Sequence, residues 1–237
     1  MKENTLNNIR AVVFDAGGTL MEYRSMPHCW SDFYTAAFQG AKKRLSLPIS
    51  DNDIYEAAEI LKSFNPRINY REEEIPPEKI FCEAVKNWRC DFSLSELINI
   101  FFSEFNLEAY IYPETVQILK KLKEKGFIIT VFTDVASAMP DEMHKGFFKE
   151  LLPYFDMYVS SQSCGYRKPD PKGLTDIQNR FGLSEKEMIF IGDEKKDIDT
   201  AKRFGCLSVL VSRDRKYSDY GQDFSVSDLL DFYNLLK

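Results

Sequence analysis

Polar residues stand where apolar runs end: Asp15 after "VVF", Thr133 and Asp134 after "FIITVF", and Asp193 after "MIFIG". Lys168 lies in "GYRKPDP" and Asp197 in "KKDI". Carboxylates are hard oxygen donors of the kind that hold Mg²⁺. Two aspartates brought close repel, and the pKa of one rises, unless a cation sits with them. A metal together with Lys168 would neutralise the oxygens of a phosphoryl group. Asp15 could then attack phosphorus as a nucleophile, and water would release phosphate from the resulting aspartyl-phosphate. Thr133 can donate a hydrogen bond to the transferred group. The backbone N–H groups of "AGGT", which includes Gly18 and Thr19, can cradle its oxygens.

These residues need elements that bring them together. Residues 9–14 read as a buried strand, because a continuous apolar run suits a parallel sheet covered on both faces. "ETVQILKKLKEKG" reads as a helix closed by Gly126, "FIITVFTD" as a strand, "MPDEMHKGFFKELL" as a helix and "FDMYVSS" as a short strand. "PKGLTDIQNRFG", "KKDIDTAKRFG" and "SDLLDFYNLL" read as helices, separated by the strands "EMIFIGD" and "CLSVLV". This alternation predicts an α/β fold with a Rossmann-like parallel sheet. Residues 23–109 differ. Their apolar residues recur at three and four, as in Trp30, Phe33, Tyr34, Ala37, Phe38 and Ala41, or Leu97, Ile98, Phe101, Phe102 and Phe105. Ser93 and Glu96 have the spacing of a capping box. The expected organisation is a core of residues 1–22 and 110–237 with an inserted all-helical domain at 23–109. Sites in open parallel sheets form beyond the carboxyl ends of the strands. If the strands are neighbours, Asp15, Thr133 and Asp193 converge there, and Lys168 follows the strand "FDMYVSS" at the same edge.

Composition narrows the partners. The net charge of −6 and the lack of a basic block disfavour nucleic acid. With only two histidines, His28 and His144, a histidine-based zinc site is not expected. Five scattered cysteines without a CxxC pair suit a reducing, cytoplasmic setting. No apolar run reaches the length of a membrane span, and the start has no signal-peptide pattern. A monomer or a dimer is compatible with the helical stripes.

Four motifs in order give the chain a resemblance to the haloacid dehalogenase-like (HAD) hydrolase superfamily. They are "DAGGT", Thr133 closing its strand, Lys168 in "RKPDP", and "GDEKKDI". The helical insertion after the first motif resembles the family's cap domain. The resemblance implies a Mg²⁺-dependent hydrolase of a small phosphorylated molecule. It implies Asp15 as nucleophile and metal ligand, and the Gly17 carbonyl and Asp193 as further ligands. Asp197 would hold Asp193 or a metal-bound water. Lys168 would orient Asp15 and the phosphate, and Thr133 would hydrogen-bond the phosphoryl group.

The departure is Gly17, where the family's phosphatases carry a second aspartate that protonates the leaving oxygen. Such general acid–base help is typically worth about 10²–10⁴ in rate. Three readings follow. A phosphatase could manage with a good leaving group, an anhydride or acyl phosphate, or borrow a residue such as His28. A relative could cleave a carbon–phosphorus or other carbon bond, with Lys42 or Lys43 as a Schiff-base lysine. Or catalysis could be impaired and the fold kept for binding or regulation. The intact "GD" with Asp197 argues against halide cleavage. Arg24, near the start of the insertion, could neutralise a substrate anion. Asp134 adds a negative charge that must be paired or point away from the phosphate.

Overall fold

The computed structural model describes residues 6–24, 29–214, 216 and 218–236. It divides into two compact units, one of residues 1–22, 109–134 and 148–237, the other of residues 23–108 and 135–147.

The first unit is built on a six-stranded parallel sheet. Its strands are β1 (Ala11–Phe14), β4 (Ile128–Thr133), β5 (Met157–Ser160), β6 (Met188–Gly192), β7 (Leu207–Val211) and β8 (Phe224–Val226). Between β1 and β4 in the chain, β2 (Met21–Arg24) and β3 (Glu108–Ile111) pair as a separate two-stranded sheet, which the apolar pattern did not signal. The order of the large sheet is β5-β4-β1-β6-β7-β8. All of its pairs are parallel. β1 is the point where the order reverses, so a crevice opens beyond its carboxyl end. Every residue of β1 and β6 is buried, as expected for strands covered on both faces. On one face Val13, Phe132 and Phe190 pack with Leu174 and Ile177. On the other, Phe14 meets Phe232 edge-to-face at 6.2 Å.

Helices α5 (Thr115–Glu124), α7 (Ser161–Cys164), α8 (Lys172–Phe181), α9 (Lys195–Phe204) and α10 (Leu229–Leu235) belong to this unit. Gly126 follows α5 at φ 83°, the left-handed conformation that ends a helix and that glycine adopts without a Cβ clash.

The second unit contains α1 (Tyr34–Leu45), α2 (Asp51–Ser63), α3 (Pro77–Ala84), α4 (Leu94–Ser103) and α6 (Asp141–Gly146). Its core is aromatic. Phe101 sits within 5.1 Å of Phe81 and 4.6 Å of Phe38, ring centre to ring centre. Tyr34 is buried against Phe101 and Phe105, so it packs as core. Ser93 caps α4 by accepting from the Glu96 N–H, one half of the expected box.

Two expectations change. "MPDEMHKGFFKELL" forms only the six-residue α6 before the chain turns. Residues 135–147, assigned to the core by the sequence reading, group with the helical unit. The reason is burial: Val135, Ala138 and Met139 pack into the helical unit's apolar cluster. No helix among the described residues is long and apolar enough to cross a membrane.

Candidate active site

The register of β1 brings the polar strand ends together. Phe14 pairs with Val131 of β4 and with Ile191 of β6. Asp15 comes one residue later, while Thr133 and Asp193 each lie two residues past those partners. The Asp15 N–H donates to the Ile191 carbonyl at 2.8 Å, which pins Asp15 at the edge of β6. Thr133, the last residue of β4, is buried.

Lys168 reaches the same place from the segment after α7. The Lys168 side chain is wholly buried, and its Nζ donates to Asp15 Oδ1 at 2.6 Å and Asp197 Oδ1 at 2.5 Å. The ammonium also lies over the rings of Phe132 and Phe190, 5.9 and 5.6 Å from their centres. Burial opposes its charge, but Asp15, Asp197 and Asp134 outweigh burial and hold its pKa above the ordinary lysine range. A buried cation is tolerable only with such partners.

Asp197 sits in the first turn of α9, where its Oδ2 accepts the Glu194 N–H at 2.9 Å. That bond fixes its carboxylate and leaves Oδ1 for Lys168. Gly192 makes room for it, since a Cβ there would lie 2.3 Å from the Asp197 Cβ. Burial is the main force pushing the Asp197 carboxyl up to about 6; Lys168 opposes it and Asp15 adds to it.

Carboxylate oxygens of Asp15, Asp193 and Asp197 lie within 4.8 Å of one another. Burial, followed by the charges of Asp15, Asp197 and Glu194, pushes the Asp193 carboxyl well above the usual range. This is the crowding that a divalent cation relieves. Three hard oxygen donors of this kind fit Mg²⁺. Gly18 stands at φ 77°, and a Cβ there would fall 2.1 Å from Asp193 Oδ2. Glycine is therefore required at 18 both for its backbone and for the approach of Asp193. Gly17 is different: a Cβ built on it meets nothing within 4 Å. Thr19 Oγ1 donates to Asp193 Oδ1 at 3.5 Å.

The remaining expected residues are placed elsewhere. Arg24 ends β2, is exposed, groups with the helical unit and lies 3.9 Å from Glu108. His28 lies outside the described residues. Lys42 is ion-paired with Asp51 at 3.1 Å, and Lys43 is exposed.

The partners of Asp134 and the role of Arg213 carried no sequence signal. Asp134 accepts the Lys168 backbone N–H at 3.0 Å, pairs with Lys196 at 3.1 Å and lies 4.0 Å from Arg167. Its charge is thus matched by neighbouring cations. A cavity of about 360 Å³ has Gly18, Glu22, Tyr112, Asp193 and Arg213 among its lining residues. Arg213 follows β7 and could have been sought there, since Asp15, Asp134 and Asp193 each follow a strand of this sheet. Nothing in the sequence shows that its guanidinium turns back to the "AGGT" turn.

Parallel strands in this order, with an aspartate after β1 and a buried lysine bridging it to an aspartate beyond β6, define a class of hydrolase rather than a generic α/β fold. The chain belongs to the haloacid dehalogenase-like hydrolase family, whose model matches residues 9–205. It is similar to a phosphoglycolate phosphatase of Salmonella typhi, 25% identical over 91% of this chain and 86% of that one. Among solved structures, a HAD phosphatase from Thermococcus onnurineus matches with a TM-score of 0.63 at 21% identity, covering 96% of this chain and 98% of that one. A 2-haloacid dehalogenase from Pseudomonas syringae pv. Tomato DC3000 matches at 0.65 and 19% identity, with the same coverage. The two structures share the fold.

Proposed function

We propose that this hydrolase is a Mg²⁺-dependent phosphatase of a small phosphorylated metabolite, working through an aspartyl-phosphate on Asp15. The observation that carries the reading is buried Lys168 bridging Asp15 and Asp197, both buried, in a cluster of three aspartates completed by the partly buried Asp193. The phosphatase named among the relatives supports phosphorus as the centre attacked. The residues that would hold Mg²⁺ are Asp15, Asp193, the Gly17 carbonyl and Asp197. The cation would supply positive charge beside the phosphoryl oxygens.

Lys168 holds one oxygen of Asp15. The other oxygen attacks phosphorus, the phosphorus–oxygen bond to the leaving group breaks, and that group departs with the bonding pair. Lys168, Thr133 and the Thr19 N–H take the charge on the equatorial oxygens; the Gly18 N–H, expected to join them, is held by the Met21 carbonyl at 2.7 Å. Water then attacks phosphorus, which frees phosphate and restores the carboxylate.

Gly17 offers no side-chain acid, so the leaving group departs largely as the anion. Acyl phosphates, anhydrides and aryl phosphates are the substrates this site favours over alkyl esters. The helical unit is read as the family's cap, and the unpaired, scattered cysteines suit a reducing cytoplasm. For a Schiff-base lysine the expected candidates are Lys42, which pairs with Asp51, and Lys43, which is exposed on the same helix.

The test is phosphate release from a panel of acyl, aryl and alkyl phosphates, with Mg²⁺ or EDTA, for the wild type and Asp15→Asn. Turnover that needs both Mg²⁺ and Asp15 is expected. Turnover that survives Asp15→Asn in pure protein sinks the reading.

A further inference from the structure

The turn Ala16–Met21 has carbonyls that can be accounted for one by one. The Ala16 carbonyl accepts from the N–H groups of Leu20 at 2.9 Å and Met21 at 3.1 Å, and the Met21 carbonyl from that of Gly18 at 2.7 Å. The Leu20 carbonyl accepts from Thr115 Oγ1 at 2.9 Å and the Tyr112 N–H at 3.2 Å. Those of Gly18 and Thr19 belong to Arg213: Nε donates to Gly18 O at 3.3 Å and Nη2 to Thr19 O at 2.6 Å. Among the described residues, only the Gly17 carbonyl of this turn accepts no hydrogen bond.

Arg213 is itself held. Its Nη1 donates to Glu114 Oε1 at 2.7 Å, and its guanidinium carbon lies 3.3 Å from the centre of the Tyr112 ring. Both charged groups are largely buried, with 21% and 12% of their side-chain surfaces exposed. A planar fork of five donors can serve two carbonyls and a carboxylate at once, and lysine cannot. Two successive glycines give this turn unusual backbone freedom. Gly17 and Gly18 have no side chains to pin them, so an outside clamp adds order to that supplied by the turn's own hydrogen bonds. The clamp is also placed to matter, because Gly18 is pressed against the Asp193 carboxylate.

We propose that Arg213 is a positioning residue that sets the Mg²⁺ affinity of the site. By occupying the carbonyls of Gly18 and Thr19 it orients the turn so that the Gly17 carbonyl is presented beside Asp15 and Asp193. Glu114 and Tyr112 hold Arg213 in that pose. The inference rests on the reading of the aspartates and the Gly17 carbonyl as the Mg²⁺ site.

The experiment is calorimetric titration of EDTA-stripped protein with MgCl₂, on the wild type, Arg213→Met, Arg213→Lys and Glu114→Gln. Hydrogen exchange of the peptide spanning the turn is followed in the metal-free proteins, and thermal melts in EDTA check folding. Arg213→Met is expected to weaken Mg²⁺ binding about tenfold or more and to speed exchange at the turn. Arg213→Lys should fail to restore affinity although it keeps the charge, and Glu114→Gln should show a smaller loss. If Arg213→Met does not fold, the lysine and Glu114 variants carry the test. A folded variant set with wild-type affinity and exchange overturns the inference alone, as does full rescue by Arg213→Lys. A wild type that binds no Mg²⁺ overturns the reading of the site and this inference with it.

Discussion

Gly17 decides what the site can do unaided. A Cβ there meets nothing within 4 Å, so a side chain can leave the backbone at this position without a clash at its first atom. Gly17→Asp is expected to raise kcat on alkyl phosphates by about 10², the lower end of what a general acid gives, and to raise it much less on aryl phosphates. Equal gains on both would show that leaving-group protonation is not what the site lacks. Asp134 governs a different property. Burial opposes its charge, yet Lys196, Arg167 and Lys168 outweigh burial and hold its carboxyl well below the usual carboxylate range. A folded pKa below the unfolded value of about 3.9 contributes stability that is fully present above that value. The contribution is lost as pH falls through the lower folded pKa. Asp134→Asn should therefore cost about 3–5 kcal/mol at pH 7, the cost of leaving buried cations unmatched. The gap to wild type should narrow below about pH 4. Urea unfolding at pH 7 and at pH 3.5 measures it, and a gap independent of pH would show that the charge contributes nothing.

At the scale of elements, the helical unit depends on α4. Its apolar stripe puts Phe101 at the centre of the aromatic cluster, fully buried against Tyr34, Phe38, Phe81 and Phe105. Phe101→Ala removes a fully buried ring from this cluster, at an expected cost of about 3–5 kcal/mol. Denaturant unfolding followed by tryptophan fluorescence reads this, since Trp30 and Trp88 both lie in this unit. A loss below 1 kcal/mol, the range of a conservative core swap, would mean that the cluster is loosely packed. The strands of the sheet unit do the opposite job. Their largely apolar faces hold the backbone still, so that the residue after a strand can be polar and aimed at the site.

For the whole molecule, ligand linkage is the test of the carboxylate cluster. A cation that binds only the folded chain stabilises it by about 2.7 kcal/mol at a hundredfold excess over its Kd. MgCl₂ should therefore raise the Tm above that in EDTA, and Asp193→Asn should remove most of the shift. Calorimetric scans of the two proteins decide it, and a wild-type Tm indifferent to Mg²⁺ would mean that the three aspartates do not hold the metal.

Much of this protein can be read from its sequence by itself. Apolar runs mark buried strands because a strand covered on both faces excludes polar residues. The residue that ends each run is therefore conspicuous, and Asp15, Thr133 and Asp193 stand out for that reason. The helical insertion is legible through its three-and-four spacing. Tertiary structure decides what depends on long-range pairing. β2 and β3 are four residues each and signal little until they find each other across the inserted residues. Residues 135–147 read as part of the core, with a helix beginning at Met139, yet Val135, Ala138 and Met139 are buried in the other unit's apolar cluster. The partners of Asp134 and Arg213 are invisible for the same reason. A charged side chain after a strand reads as solvated until the fold shows which carbonyl or counter-ion, 195 residues away for Arg213 and Gly18, it meets. Local pattern reports burial along the chain; only the packed fold reports which polar atoms meet.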